Sequence, residues 1–227
     1  MGEYAVGAAT RKRIYDTAKK LFYEKGIKAT SYKDICEAAD VNRGLIPYYF
    51  KSKNNIAVQV LDEFVESMER AINERWPEDE MGHSEFNIMV ELLMFRLLAE
   101  NENICRFYGE IRSDAEFSAT TLRIQGETMN MLVQGVGITV DPAKLTTVVA
   151  MVEGTENELV NLVRHNLLEE SIEDMVRRDI RCCYFLLGAD LSQVDEAWER
   201  VVALAKNCTM KCDARFRCRI VEEAGSK

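Results

Sequence analysis

The sequence predicts an all-α protein, and three observations carry that expectation. Its 227 residues include only 3 prolines and 12 glycines, so few positions break a helix. Apolar residues recur at three- and four-residue spacing along most of the chain, the period that lines one helix face. Helix-start signals, either Ser followed three residues later by an acidic residue or Asp followed by Pro, precede several of those runs. A hydrophobic fraction of 47% is ample for a packed core. No internal repeat or low-complexity stretch interrupts the pattern.

Taken in order, Thr10 is expected to cap a first helix that buries Ile14, Ala18, Leu21 and Phe22 and stops at Gly26. Arg11, Lys12 and Arg13 then fall in its first turn, the unfavourable end of the helix dipole, which suggests a use such as phosphate contact. Ser31 and Asp34 form a capping-box pair ahead of the stripe Ile35, Ala38, Ala39. Asp40 breaks that stripe, and Asn42 is a good cap for a second short helix. On it Arg43, Gly44, Pro47 and Tyr48 share one face while Ile46 and Phe50 lie on the other, so one side packs and the other stays free. This is the grammar of a helix-turn-helix that presents its second helix to DNA.

A long helix follows from Lys53 to about Arg75, with Ile56, Val60, Phe64, Met68 and Ile72 on one stripe, ended by Trp76-Pro77. Glu78 to His83 is expected to be a loop. Ser84 starts the next helix, Asn101 to Asn103 interrupt it, and a short helix carries Phe107 and Tyr108. Ser113 and Glu116 cap a helix running to about Gln134, stopped by Gly135 and Gly137. Asp141-Pro142 opens a long helix to about His165, and Ser171 to Asp174 opens another that ends at Gly188. The last starts at Ser192, and Val194, Trp198, Val201, Ala205, Cys208 and Cys212 continue one packing stripe along it. The count is about ten helices.

Charge divides the chain. Residues 1–55 hold 11 Lys/Arg against 6 Asp/Glu, a net +5, whereas the remainder holds 18 against 32, a net −14. The first segment is built to meet an anion, although charge alone leaves a merely solvated surface as the alternative. The expected division is therefore a DNA-binding domain over residues 1–55 and a second domain over 56–227. No leader-like apolar stretch opens the sequence, Val6 stands where a myristoylation motif needs Ser or Thr, and no run approaches the length that spans a bilayer. A cytoplasmic protein without a membrane partner is expected.

The run VNRGLIPYYFKSKNNI resembles the end of the DNA-binding domain of tetracycline-repressor (TetR) family regulators. Arg43, Gly44, Ile46, Phe50, Ser52 and Lys53 match the family pattern directly, and Tyr49 stands where His is usual. Pro47 departs from it, replacing a Tyr that touches phosphate in the family; Tyr48 is a substitute for that contact. With Asn42 as cap, Pro47 would also lack the N–H that bonds the Arg43 carbonyl, so a tightened or kinked helix is expected. The resemblance covers about residues 10–56. It implies double-stranded operator DNA as partner, a helical ligand-binding and dimerisation body, and a repressor released by a small molecule.

The candidate DNA-binding residues are Thr30, Ser31, Asn42, Arg43, Gly44, Leu45, Pro47, Tyr48, Tyr49 and Lys53. Arg43 has the fork that reads guanine O6 and N7, Leu45 suits a thymine methyl, the tyrosines suit sugar or phosphate, and Thr30 and Lys53 suit phosphate. An effector pocket is expected among Met89, Leu93, Arg96, Phe107, Tyr108, Met129 and Glu153, since the surrounding stretch holds more bulky, adaptable residues than one stripe per helix needs. Core packing would use the same residues. The family arrangement implies a homodimer face on two helices carrying Val148, Val152, Leu159 and Val163, and Met175, Cys183, Tyr184 and Leu187, with Gly154 permitting a close crossing. An intramolecular contact with the last helix is the alternative.

Seven cysteines are odd in number and contain no Cys-x-x-Cys, so reduced thiols are the default. Cys208, Cys212 and Cys218 lack the spacing and the histidines of a zinc site. His83 and His165 sit apart from any nucleophile, and no phosphate-binding glycine loop is present. Neither an enzyme, a metal nor a cofactor is expected. Two other functions are compatible with the residues: an inducer-independent or thiol-responsive DNA-binding dimer, and a helical interaction module that has lost DNA binding.

Overall fold

A computed structural model describes residues 2–114, 117, 138 and 140–222. Among these lie ten helices and one two-stranded sheet. The predicted helix from Ser113 to Gln134, with Arg123, Met129 and Met131, lies almost wholly outside the described residues.

Helix α1 spans Gly2–Lys25. It begins eight residues before the expected Thr10 cap, and the Thr10 hydroxyl instead bonds the Val6 carbonyl one turn back at 3.0 Å. Arg11, Lys12 and Arg13 are therefore mid-helix, and the dipole argument for them falls away. Ser31 does cap α2, Tyr32–Ala39, with the predicted reciprocal bonds to Asp34. The left-handed Asp40 (φ 51°) ends α2, its N–H bonding Cys36 and Glu37 carbonyls.

Helix α3 is short, Leu45–Phe50, and Gly44 precedes it rather than Asn42. The Asn42 carbonyl accepts the Leu45 N–H at 3.0 Å in a turn, which postpones the helix proper. Pro47 consequently occupies the first turn, where an N–H would have no intrahelical partner. The expected kink has no cause and is corrected.

Helix α4, Lys53–Arg75, is capped by Ser52 and runs from the head into the body. The expected loop after Trp76 contains a one-turn helix, α5 (Glu78–Met81). Then come α6 (His83–Glu100), α7 (Glu102–Arg112), α8 (Pro142–Arg164), α9 (Ile172–Leu187) and α10 (Leu191–Leu204). Asn101, Asp141, Ser171 and Asp190 cap α7 to α10 through their side chains.

The chain departs from all-helix at its end. The stripe predicted to continue through Cys208 and Cys212 stops at Leu204, and β1 (Cys208–Cys212) pairs antiparallel with β2 (Cys218–Glu222). Asp213 makes the turn: its carboxylate accepts the Arg215 and Arg217 N–H groups at 2.8 and 3.1 Å and pairs with the Arg217 guanidinium. The hairpin packs on α4 and α6. Arg96 on α6 binds the Ala205 carbonyl at 2.9 Å, holding the helix end in place.

The apolar core is continuous from Ile14 on α1 to Phe216 in the hairpin turn. Phe216, 1% exposed and at φ 56°, meets Tyr23 of α1, Phe64 of α4 and Phe107 of α7. Head and body thus share one interior.

Candidate nucleic-acid interface

In the head, α3 divides as its sequence predicts. Ile46 and Phe50 are buried, while Arg43, Gly44, Pro47 and Tyr48 are exposed, Tyr48 to 76%. Leu45 and Tyr49 are half-buried against the core, and the Tyr49 ring meets Tyr48 edge-on at 4.9 Å. Arg43 lines a cleft of about 620 Å³ together with Arg13, Lys33, Asn42 and Asp40. Arg13 is steadied there by the Asp40 carbonyl at 3.4 Å, and Arg11 lies over the Phe50 ring at 4.7 Å. Arg13 was expected, with Arg11 and Lys12, to meet phosphate, whereas Lys33 was not among the predicted contacts. The signal of Lys33 was only that it is one turn upstream of acidic Glu37 on an exposed face, which reads equally as a helix ion pair.

Two predicted phosphate contacts are corrected. Thr30 is fully buried, with its hydroxyl donating to the Gly26 carbonyl at 2.6 Å. The Lys53 ammonium donates to the Ile27 and Thr30 carbonyls, both at 2.7 Å, and burial pushes its pKa down. Both side chains tie the α1–α2 loop to α4 and are spent there. Ser31 is exposed but committed to Asp34. Asn42 is exposed without capping.

Comparison with known proteins places this geometry. Residues 14–60 match the family model for bacterial regulatory proteins of the TetR family. Over those residues the chain is similar to the TetR family. The probable HTH-type transcriptional regulator YttP of Bacillus subtilis is 36% identical over 64 residues, 28% of this chain and 31% of that protein. The regulator TtgR of Pseudomonas putida is 33% identical over 72 residues, 32% of this chain and 34% of that protein. The chain thus spans about a third of the length of the curated relatives it matches. The solved structure of RolR with resorcinol superimposes with a TM-score of 0.63 at 17% identity, covering 87% of this chain and 96% of that one. A TetR-family regulator from Streptomyces coelicolor A3 gives 0.51 at 22% identity, covering 79% and 94%. These two likenesses carry the fold beyond the head.

In this chain, α7 grips the head from the body side. The Glu110 carboxylate accepts the Ile27 and Lys28 N–H groups at 2.6 and 2.9 Å. Arg106 donates to the Tyr23 and Glu24 carbonyls at 2.8 and 3.0 Å. Gly26, at φ 86°, permits that approach, since a Cβ there would lie 2.8 Å from the Glu110 carboxylate. The opposite side of α7 faces the body, where Arg112 binds Tyr108, Glu153, Glu156 and Asn157. Sequence reasoning missed Arg106, Glu110 and Arg112, because charged residues on an amphipathic helix read as solvated.

The candidate pocket residues separate. Tyr108 and Glu153 come together through Arg112, with burial raising both of their pKa values. Burial opposes the Arg112 charge, but the facing Tyr108, Glu156 and Glu153 hold its pKa above the ordinary value. Near them lie the buried carboxyls of Glu91 and Asp179. Burial and then the Glu156 charge raise both, Asp179 to about 6. Met89 and Leu93 are fully buried core. Phe107 faces Phe22 and Phe216 instead. Arg96 is corrected from ligand contact to a tie between Glu173, at 2.9 Å, and the end of α10. Met129 lies outside the described residues.

The predicted dimer face also shifts. Val163, Met175 and Tyr184 are buried in the main core, with Leu159 half-buried against it. Val148 and Leu187 form a smaller cluster with Val152 and Cys183. The buried ones, Val148, Val163, Met175, Tyr184 and Leu187, are spent within their own chain, which corrects their assignment to a second subunit, while Val152, Leu159 and Cys183 stay half-buried. The outer stripe of α8 instead exposes Ala150, Met151 and Gly154, and that of α9 exposes Cys182 and Phe185, the last to 67%.

Proposed function

We propose that this protein is a homodimeric, effector-controlled transcriptional regulator, a repressor that leaves its operator when a small molecule binds the body. The observation that carries this reading is the free face of α3, where Arg43, Gly44, Pro47 and Tyr48 stand exposed while Ile46 and Phe50 pack inward. Arg43 reads a base edge, Tyr48 and Tyr49 meet the DNA backbone, Leu45 borders them, and Arg13 and Lys33 supply phosphate contacts. Ser31 and Asn42 flank that face. The functional boundary falls near residue 55, in the first turns of α4.

The effector site is proposed at the Tyr108, Arg112, Glu153 cluster. RolR, of like fold, has been solved with resorcinol, which supports a small-molecule occupant. A ligand there reaches the head through α7, whose Arg106 and Glu110 hold the α1 end and the following loop. Two heads read one operator when their recognition helices lie about 34–36 Å apart, one DNA turn. An effector that prefers another separation shifts the population off DNA. The second subunit packs on the exposed stripes of α8 and α9, with Gly154 open to a close crossing. No helix among the described residues is long and apolar enough to cross a membrane, and the regulator acts in the cytoplasm, without a cofactor.

The test is binding to the DNA upstream of its own gene across a salt series, wild type beside Arg43→Ala. The expected result is dimer-stoichiometric binding that weakens steeply with salt, with the variant losing about 10- to 100-fold, the effect of one bidentate base contact. Weak binding, equal for both proteins and for unrelated DNA, would sink the reading.

A further inference from the structure

The C-terminal hairpin carries chemistry that DNA binding does not use. Cys212 stands directly opposite Cys218 in the β1–β2 register. One residue nearer the turn, the Asp213 N–H bonds the Arg217 carbonyl at 3.1 Å. The Cys218 N–H turns away from the ladder and donates to Ser67 Oγ of α4 at 2.9 Å. Because antiparallel ladders alternate, Cys212 and Cys218 form a non-hydrogen-bonded pair. Such residues have Cα atoms about 4.5 Å apart, within the roughly 4.4–6.8 Å that a disulfide spans without backbone movement. The Cys212 thiol donates to the Asp213 carbonyl at 3.7 Å, and both cysteines are half-buried, within reach of a small solute.

We propose that Cys212 and Cys218 form a reversible dithiol–disulfide site whose oxidant is a hydroperoxide. The sulfur that reacts first gives up its proton and takes OH from the peroxide; the O–O bond breaks and the other oxygen, carrying that proton, departs as water or an alcohol. The second thiol gives up its proton and attacks that sulfur, the S–S bond forms, and the OH leaves with a proton as water. Two thiols together lose two electrons and the peroxide gains them. The covalent ring then encloses residues 213–217, including Phe216, which seats between α1, α4 and α7. Oxidation fixes the existing arrangement of that turn, and with it the contact between head and body.

The test uses the full-length, reduced protein treated with hydrogen peroxide, quenched, alkylated in denaturant and digested with trypsin without reduction. The titratable thiols should fall from seven to five, the peptide Cys212–Arg215 should appear joined to Cys218–Arg219, and dithiothreitol should restore both. Amide hydrogen exchange across 213–217 should slow on oxidation, and Cys212→Ser should abolish the link. Mapping the wild type needs no variant to fold. Recovery of both cysteines alkylated while the exposed Cys182 is oxidised, a link to any other cysteine, or unchanged exchange in the turn would overturn the proposal.

Discussion

Arg43 is exposed at the cleft of the head, and among the described residues it enters no ion pair. If it reads a base edge, Arg43→Lys should keep the salt dependence of DNA binding but lose most operator discrimination, because an ammonium lacks the planar two-donor fork. Competition between operator and random DNA checks this. A second residue-scale prediction concerns Asp179, whose pKa rises from 3.8 to about 6 through burial and the Glu156 charge, with Glu91 and Arg112 also facing it. A group raised on folding contributes stability that is complete below its unfolded pKa and lost as pH rises through its folded one. Asp179→Asn should therefore stabilise the protein at pH 8, by on the order of 2 kcal/mol, and the gain should vanish towards pH 4. Denaturant melts at the two pH values decide it; a pH-independent effect would contradict the burial argument.

Among the elements, α3 and α7 make opposite points about local sequence. Pro47 sits in the first turn of α3, so Pro47→Ala should change stability by less than about 0.5 kcal/mol, far from the ~3 kcal/mol of a mid-helix proline. Thermal melts test this. On α7, Glu110→Ala would strip the Ile27 and Lys28 N–H groups of their acceptor in a buried setting. The expected cost is about 1–3 kcal/mol, with faster amide exchange localised to the α1–α2 loop. Pro47 was legible in the sequence but its position in the helix was not, because a turn at Asn42 moved the start by two residues. Glu110 was not legible, because its partners are more than eighty residues away.

For the whole molecule, one core joins head and body, so unfolding should be a single transition. Phe216→Ala removes a fully buried ring at their junction and should cost about 3–5 kcal/mol while keeping one transition; calorimetry or parallel far-UV and fluorescence melts check it. In the proposed dimer the subunits meet on the outer stripes of α8 and α9. Phe185→Glu should convert the dimer to monomers in sedimentation and leave the fold intact, since this side chain is 67% exposed in one chain. An unchanged dimer would place the interface elsewhere.

What the sequence determined by itself was local: the capping residues Ser31, Asp141 and Ser171, the long α4, the free and packed faces of α3, and the family match that rests on them. Those features follow from hydrogen bonds and apolar spacing within one or two turns of chain. The tertiary structure decided the rest. It turned Thr30 and Lys53 inward, moved the free face of α8 and α9 from valines to Met151 and Phe185, and ended α10 at Leu204 so that the cysteines could enter a hairpin. In each case the sequence pattern named residues able to pack or bond. Which partner they met depended on groups distant along the chain, whose positions no local period encodes.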